Sequence, residues 1–218
     1  DREVQLHKVR EQSLVSNHPV DFLKLDPSLD LRQRAPNGVL GGVSIRGGSF
    51  AQTLVLMDGL RMNDAQTAHF NLDIPMAPES TDRIEILKGS GSTFYGADAV
   101  GGGSSLYGPG AVGGVVNVLP SPPAATEFRL RTGVGNFGSN QQRVSLGLAT
   151  SRISQQLTAY RDFSTGFIEN RDYRNLTLAS TTYGSSGLGN SRLYLAHSDK
   201  PFGADVVDGR LTGRGACD

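Results

Sequence analysis

Two hydrophobic patterns divide this chain. Up to about residue 118, apolar residues come in short continuous runs separated by glycine-rich turns; beyond about residue 125 they alternate singly with polar residues. A short apolar run bounded by turn residues predicts a strand buried on both faces. Three such strands are predicted, over 53–57, 83–87 and 114–118. Asp58-Gly59, directly after the first, is a hairpin dipeptide, and Lys88-Gly89-Ser90-Gly91 closes the second. The polar stretch 63–81, with Pro75 and Pro78, is a loop long enough to be functional or disordered. Residues 1–36 read as mixed helix and strand. Val20, Phe22, Leu23 and Leu25 make an amphipathic helical turn or two, ended at Asp26-Pro27 because proline disfavours helix in the residue before it.

In the second pattern the period is two. Phe128, Leu130, Thr132 and Val134 alternate with Glu127, Arg129, Arg131 and Gly133; Val144, Leu146 and Leu148 alternate with Arg143, Ser145 and Gly147. Leu157, Ala159 and Arg161 keep step in a weaker strand over 155–163, Leu176 and Leu178 in another, and Leu193 and Leu195 in a last one. Pro120, Pro122 and Pro123 make a stiff extended connection between the two halves. Alternating segments of about ten residues suit a transmembrane β-barrel, apolar toward lipid and polar toward the lumen. They suit equally a soluble antiparallel sandwich with one face in water. Alternation alone leaves both open.

Residues 91–102 and 103–114 form a gapless tandem repeat, GSTFYGADAVGG against GSSLYGPGAVGG. The unit is far too short for a solenoid, so it reads as a local duplication that lengthens one loop.

The ordered motifs Val43-Ser44-Ile45-Arg46-Gly47, Leu54 to Gly59, Arg83-Ile84-Glu85-Ile86-Leu87-Lys88-Gly89, Tyr95-Gly96 or Tyr107-Gly108, and Gly113-Gly114-Val115-Val116-Asn117-Val118 together resemble the plug domain of TonB-dependent outer-membrane receptors. The resemblance extends to about residue 204. It implies an α+β plug domain, a small mixed sheet with short helices and glycine-rich loops, over 1–119. A Pro-rich linker over 120–125 and the first strands of an antiparallel transmembrane β-barrel over 126–204 would follow, with an atypical tail over 205–218. The family barrel has about 22 strands, and at about ten residues per strand only about five fit here. The expectation is therefore an incomplete barrel and a chain that is a piece of a longer gene product. The implied function is TonB-dependent uptake of a scarce nutrient (a ferric siderophore, haem, cobalamin or an oligosaccharide) across the outer membrane of a Gram-negative bacterium, the plug gating the lumen. Its partners would be TonB with its inner-membrane complex, an extracellular nutrient ligand and outer-membrane lipid. The alternative from a different class is a soluble β-rich binding or adhesion module.

Site residues follow from the same resemblance. Arg46 and Arg83 are the arginines expected to lock the plug to glutamates of the barrel wall. Asn63, Gln66, Thr67, His69, Phe70 and Asn71 would face substrate, with Arg34 and Asn37 in a second apical turn. Their amide, hydroxyl, imidazole and aromatic groups suit hydrogen bonding and stacking to a polar ligand.

Composition narrows the chemistry without redirecting it. Formal net charge is zero, so no broad basic surface for nucleic acid is implied. Apolar content of 37% and 28 glycines fit a barrel that is apolar only toward lipid. No run approaches the roughly 20 apolar residues of a membrane helix, and the chain opens Asp1-Arg2-Glu3 without a signal peptide. The one cysteine, Cys217, can form no internal disulfide, no metal-type spacing exists, and a lone His69 in a polar loop reads as solvated. No enzyme is expected, and no cofactor. The 88–93 segment has the letters of a phosphate loop, but its lysine precedes the glycines instead of following them. There is no G-x-S-x-G elbow and no H-E-x-x-H pair.

Overall fold

A computed structural model describes residues 4–10, 16–33, 35–36, 39, 41–63, 72–89, 113–167, 171–187 and 189–203. The chain divides into two compact units, Asp1–Ser121 and Pro122–Asp218.

The N-terminal unit contains β1 (Val4–Lys8), α1 (Val20–Leu23), β2 (Leu29–Gln33), β3 (Gly41–Ile45), β4 (Thr53–Met57), β5 (Leu60–Arg61), β6 (Thr81–Lys88) and β7 (Gly114–Pro120). Five of these strands form a mixed sheet in the order β1-β6-β7-β4-β5, and β2 and β3 pair separately. The three continuous apolar runs are β4, β6 and β7, and they are the three central strands of that sheet. Every residue of β4 and β3 is buried, which is why these strands read as runs instead of alternations. Register puts Val55 beside Val116 and Val116 beside Ile86, and Leu54 beside Val115 beside Leu87. Each of the fully buried Val55, Val116, Ile84 and Ile86 contributes about 1.5–3 kcal/mol relative to exposure. β4 and β7 are parallel, so the chain crosses over between them, and that crossover carries the long glycine-rich segment.

α1 is one short helix that buries Val20, Phe22 and Leu23 and leaves Leu25 exposed. Its entry is fixed by side chains. Asp21 Oδ2 accepts the backbone N–H groups of Asn17 and His18 at 3.2 and 3.0 Å. His18 is buried and its Nδ1 accepts the Val20 N–H at 3.3 Å. That leaves its Nε2 to donate to the Ile74 carbonyl at 3.2 Å, so one neutral tautomer ties the 72–77 segment to the helix.

The C-terminal unit is a five-stranded antiparallel meander: β8 (Glu127–Val134), β9 (Asn140–Ala149), β10 (Ile153–Ser164), β11 (Tyr173–Ser186) and β12 (Gly189–Asp199). The sheet is open, with β8 and β12 at its edges. Its connections are uneven. Those at 150–152 and 187–188 are short, whereas those at 135–139 and 165–172, at the opposite end, are longer.

Candidate functional site

The glycine and polar motifs of the N-terminal unit explain themselves locally. Asp58 and Gly59 both take positive φ, 53° and 78°, so β4 and β5 are joined by the two-residue turn that requires this. Asn117, on β7, reaches across to it: its Oδ1 accepts the Gly59 N–H at 3.1 Å, and the Asp58 N–H donates to the Val118 carbonyl at 2.9 Å. Asn117 is thus a turn clamp inside an otherwise apolar strand, and it is buried. Removing it as Asn117→Leu orphans the Gly59 N–H. The expected loss is about 1–3 kcal/mol, measured as faster hydrogen exchange at Gly59 and Leu60 than in the parent protein.

Asn63 performs a related task. Its Oδ1 accepts the Val55 N–H at 2.8 Å and its Nδ2 donates to the Thr53 carbonyl at 2.9 Å, so its carboxamide completes the edge of β4 as a further strand would. Of the eight residues expected to face substrate, only Asn63 falls within the described part. Arg34, Asn37, Gln66, Thr67, His69, Phe70 and Asn71 lie outside the described residues, as does the tandem repeat except for its last two glycines.

Lys88, the lysine of the false phosphate loop, points elsewhere. Its ammonium lies 3.2 Å from Asp26 Oδ2, with side-chain exposures of 9% and 0%. Asp26 Oδ1 accepts both the backbone N–H and the hydroxyl of Ser28, at 2.9 and 2.8 Å. Burial pushes the Asp26 carboxyl up, but the Ser28 hydrogen bonds and Lys88 outweigh it, and the net shift is below the ordinary value of 3.8. The pair fastens the turn after α1 to the end of β6. The sequence marks Asp26 only as the end of a helix; a lysine closing an apolar strand directly before glycine is the one hint that it has a buried partner.

The two expected locking arginines differ. Arg46 sits at φ 52°, followed by Gly47 at 75°, in the tight turn closed by the Gly48 N–H on the Ile45 carbonyl at 3.1 Å. A left-handed conformation costs a non-glycine residue about 1–2 kcal/mol, and strain of this kind collects at functional positions. The Arg46 N–H is bound to the Ser28 carbonyl at 2.9 Å. Its side chain is exposed and makes no hydrogen bond or ion pair among the described residues. Arg83, by contrast, is held within its own strand, bonding Asp82 and Glu85 at 2.8 Å each. These hydrogen bonds raise its already high pKa further.

The decisive feature of the C-terminal unit is which face is covered. Side chains of Arg143, Ser145, Gln156, Thr158, Asp162, Asn175, Thr177 and Thr181 are buried, and they share the polar face. They bond among themselves: Gln156 Nε2 to Ser145 Oγ at 2.6 Å, Thr177 Oγ1 to Asn175 Oδ1 at 3.0 Å, and Thr177 with Ser198 at 2.9 Å. The Arg143 guanidinium lies over the Tyr160 ring at 5.2 Å. The other face is apolar and open: Phe128 is 65% exposed, Leu130 63% and Leu195 61%, with Val144, Leu148, Leu157, Leu176, Leu178 and Leu193 also exposed. Toward the short-turn end of this face a polar pair is self-contained, Gln155 Nε2 meeting Ser180 Oγ at 3.4 Å. A soluble sheet buries its apolar face; this one reverses that order, as a barrel wall in lipid does. On β10 the open face runs from Ile153 to Phe163, with Arg161 close to its long-connection end, and at about 45° of tilt it spans about 23 Å. The shallow trough among Leu146, Leu157, Leu178 and Leu195 lies on this face, where acyl chains would lie. Asymmetric connections agree, since outer-membrane barrels have short periplasmic turns and longer extracellular loops.

Comparison with known proteins agrees with this geometry. Residues 8–103 match the TonB-dependent receptor plug domain family. The chain is 32% identical to the vitamin B12 transporter BtuB of Vibrio vulnificus over 82 residues, 38% of this chain and 13% of BtuB. The structure superposes on the copper transporter OprC with a TM-score of 0.66 at 17% identity, covering 92% of this chain and 31% of OprC. On the ferric yersiniabactin uptake receptor FyuA of Yersinia pestis it gives 0.64 at 17% identity, covering 97% of this chain and 34% of FyuA. Such structural likenesses show the fold, and the chain spans about a third or less of each relative. With plug motifs, sheet order and an open apolar face all in agreement, residues 8–103 are a TonB-dependent receptor plug domain, and the five strands after it have the fold of part of such a receptor's barrel.

Proposed function

We propose that the protein takes up a scarce nutrient across the outer membrane of a Gram-negative bacterium, powered through TonB, with the N-terminal unit as a plug that gates the barrel lumen. The observation that carries this reading is the reversed polarity of β8 to β12, strands that follow a plug-type sheet in the chain. A soluble adhesion module would need its apolar face covered and its polar face in water, and burial runs the other way.

Cargo is bound, not transformed. The candidates are a ferric siderophore, haem, cobalamin or an oligosaccharide; vitamin B12, copper and ferric yersiniabactin are what the named relatives handle. Arg34, Asn37, Gln66, Thr67, His69, Phe70 and Asn71 are the proposed substrate contacts, with Asn63 anchoring the start of their loop to β4. Arg46 and Arg83 are the proposed locks. The open guanidinium of Arg46 suits a partner on the wall, and a buried pair of this kind is costly to break from one side. Arg83 would have to exchange Asp82 or Glu85 for such a partner. TonB pulling on the plug would rearrange it through its least stable parts.

The test is uptake by cells carrying the protein, with and without functional TonB, alongside fractionation of their membranes. Nutrient accumulation should collapse without TonB, and the protein should stay in the outer-membrane fraction after an alkaline wash. Accumulation indifferent to TonB, or release of the protein into the soluble fraction, defeats the proposal.

A further inference from the structure

The apolar face of the barrel strands is not uniform from end to end. At the end with short turns, its outermost residues are Leu148, Ile153, Gln155, Thr182 and Leu193, with no charge among them. At the end with long connections the same face carries Arg161, Arg174 and Asp199. Register fixes their arrangement: Arg161 lies beside Leu176 and beside Gln142, Phe163 beside Arg174, and Leu176 beside Asp199. Arg161 and Arg174 are therefore diagonal neighbours on adjacent strands, about 7–8 Å apart at the backbone. The next row toward the middle is Leu130, Val144, Ala159, Leu178 and His197; the apolar belt begins there, with His197 at its β12 edge.

The two arginines are not equivalent. Arg174 Nη2 is paired with Asp199 Oδ2 at 3.1 Å. Arg161 is exposed, and its guanidinium lies over the Phe163 ring at 5.3 Å. Among the described residues it makes no hydrogen bond or ion pair. An arginine at the boundary between acyl chains and headgroups, backed by an aromatic ring, presents a planar fork that fits a phosphate through two hydrogen bonds. The cluster keeps one net positive charge after Asp199 is counted. The longer connections place this rim at the extracellular side, so the lipid it meets belongs to the outer leaflet.

The geometry points to a binding site for the phosphate of an outer-leaflet membrane lipid, with Arg161 as the primary ligand, Arg174 as the second cation, and the acyl chains on the apolar belt below. The site rests on the outer-membrane reading of the chain and adds a specific lipid contact to it.

The experiment extracts the protein in mild detergent and titrates it with phosphatidic acid and, separately, with diacylglycerol of the same acyl chains. Bound lipid is counted by native mass spectrometry. The protein should retain phosphatidic acid in preference to diacylglycerol. Arg161→Gln should lower phosphatidic acid retention about fivefold and leave diacylglycerol retention as it was. Gln155→Ala, at the opposite rim, should change neither. Arg161→Lys keeps the charge without the fork and should fall between the parent and Arg161→Gln, which keeps the test decisive should the glutamine variant fold poorly. Equal retention of the two lipids, or unaltered phosphatidic acid retention in both Arg161 variants, overturns the site while leaving the membrane reading intact. Displacement of bound lipid by inorganic phosphate overturns the lipid as the source of the phosphate. Retention of neither lipid overturns the membrane reading and the site with it.

Discussion

Replacing Gly114 by alanine is expected to destabilise the N-terminal sheet by about 3 kcal/mol or more. Two independent effects add here. Gly114 has φ 149°, a conformation open almost only to glycine. An added Cβ would also collide with the Leu87 carbonyl oxygen and stand 2.8 Å from Ile45 Cδ1. The carbonyl cannot retreat, because Leu87 belongs to the β6–β7 ladder. Gly114 itself is flanked by Lys88 on one side and Thr53 on the other, so displacement on either side opens the centre of the sheet. Hydrogen exchange at Val115 and Val116 should accelerate about a hundredfold or more, since each 1.4 kcal/mol is tenfold. Gly59→Ala is the matching control. That residue also has positive φ, but an added Cβ there meets nothing within 4 Å, so it should cost only about 1 kcal/mol. If the two variants exchange alike, the close approach of the three strand ends is not what makes Gly114 necessary.

The second large effect is expected at the buried ion pair. Lys88→Met leaves the Asp26 carboxylate in a site with no solvent access, and breaking such a pair from one side costs about 3–5 kcal/mol. Combining it with Asp26→Asn removes the stranded charge and should recover much of the loss, because an apolar or neutral replacement of a whole pair is often tolerated. Protection of the β6 amides Ile86 and Leu87 reports both variants. Acid should show the same linkage in the parent protein. The folded Asp26 pKa lies below its ordinary value of 3.8. Its contribution is therefore complete above about pH 5, where the unfolded carboxylate is also ionised, and fades as pH falls below 3.8 and through the lower folded value. Asp26→Asn should flatten that part of the stability profile. An Asp26→Asn profile that still falls as steeply as the parent's would assign the acid sensitivity to other carboxylates.

These two positions show how unevenly the fold was legible. Gly113-Gly114 and Asp58-Gly59 announce themselves in sequence, because only a few residues tolerate the backbone they need. The three apolar runs gave the central strands for a similar reason: a strand covered on both faces must be apolar at every position. β1, β2 and β3 carried no such signal. β1 is an edge strand with Val4 and Leu6 exposed, and β3 is short and starts with two glycines. The Asp26–Lys88 pair joins residues far apart in the chain, and nothing local to either names the other. Asn63 shows the converse. Its composition and loop position suggested a ligand contact, yet its carboxamide caps the β4 edge, a choice that depends on where the chain returns in space.

Sequence by itself determined the three central strands of the first half, the turns that glycine makes possible, and the period of two after residue 125, since all of these are set by residues close together along the chain. Tertiary structure alone decided which face of the last five strands is open. Alternation is blind to that, because it states that two faces differ and not which of them meets water. Once Asn175 and Thr177 are covered and Phe128, Leu130 and Leu195 are open, the surroundings of that face have to be hydrocarbon, because water would favour the opposite arrangement.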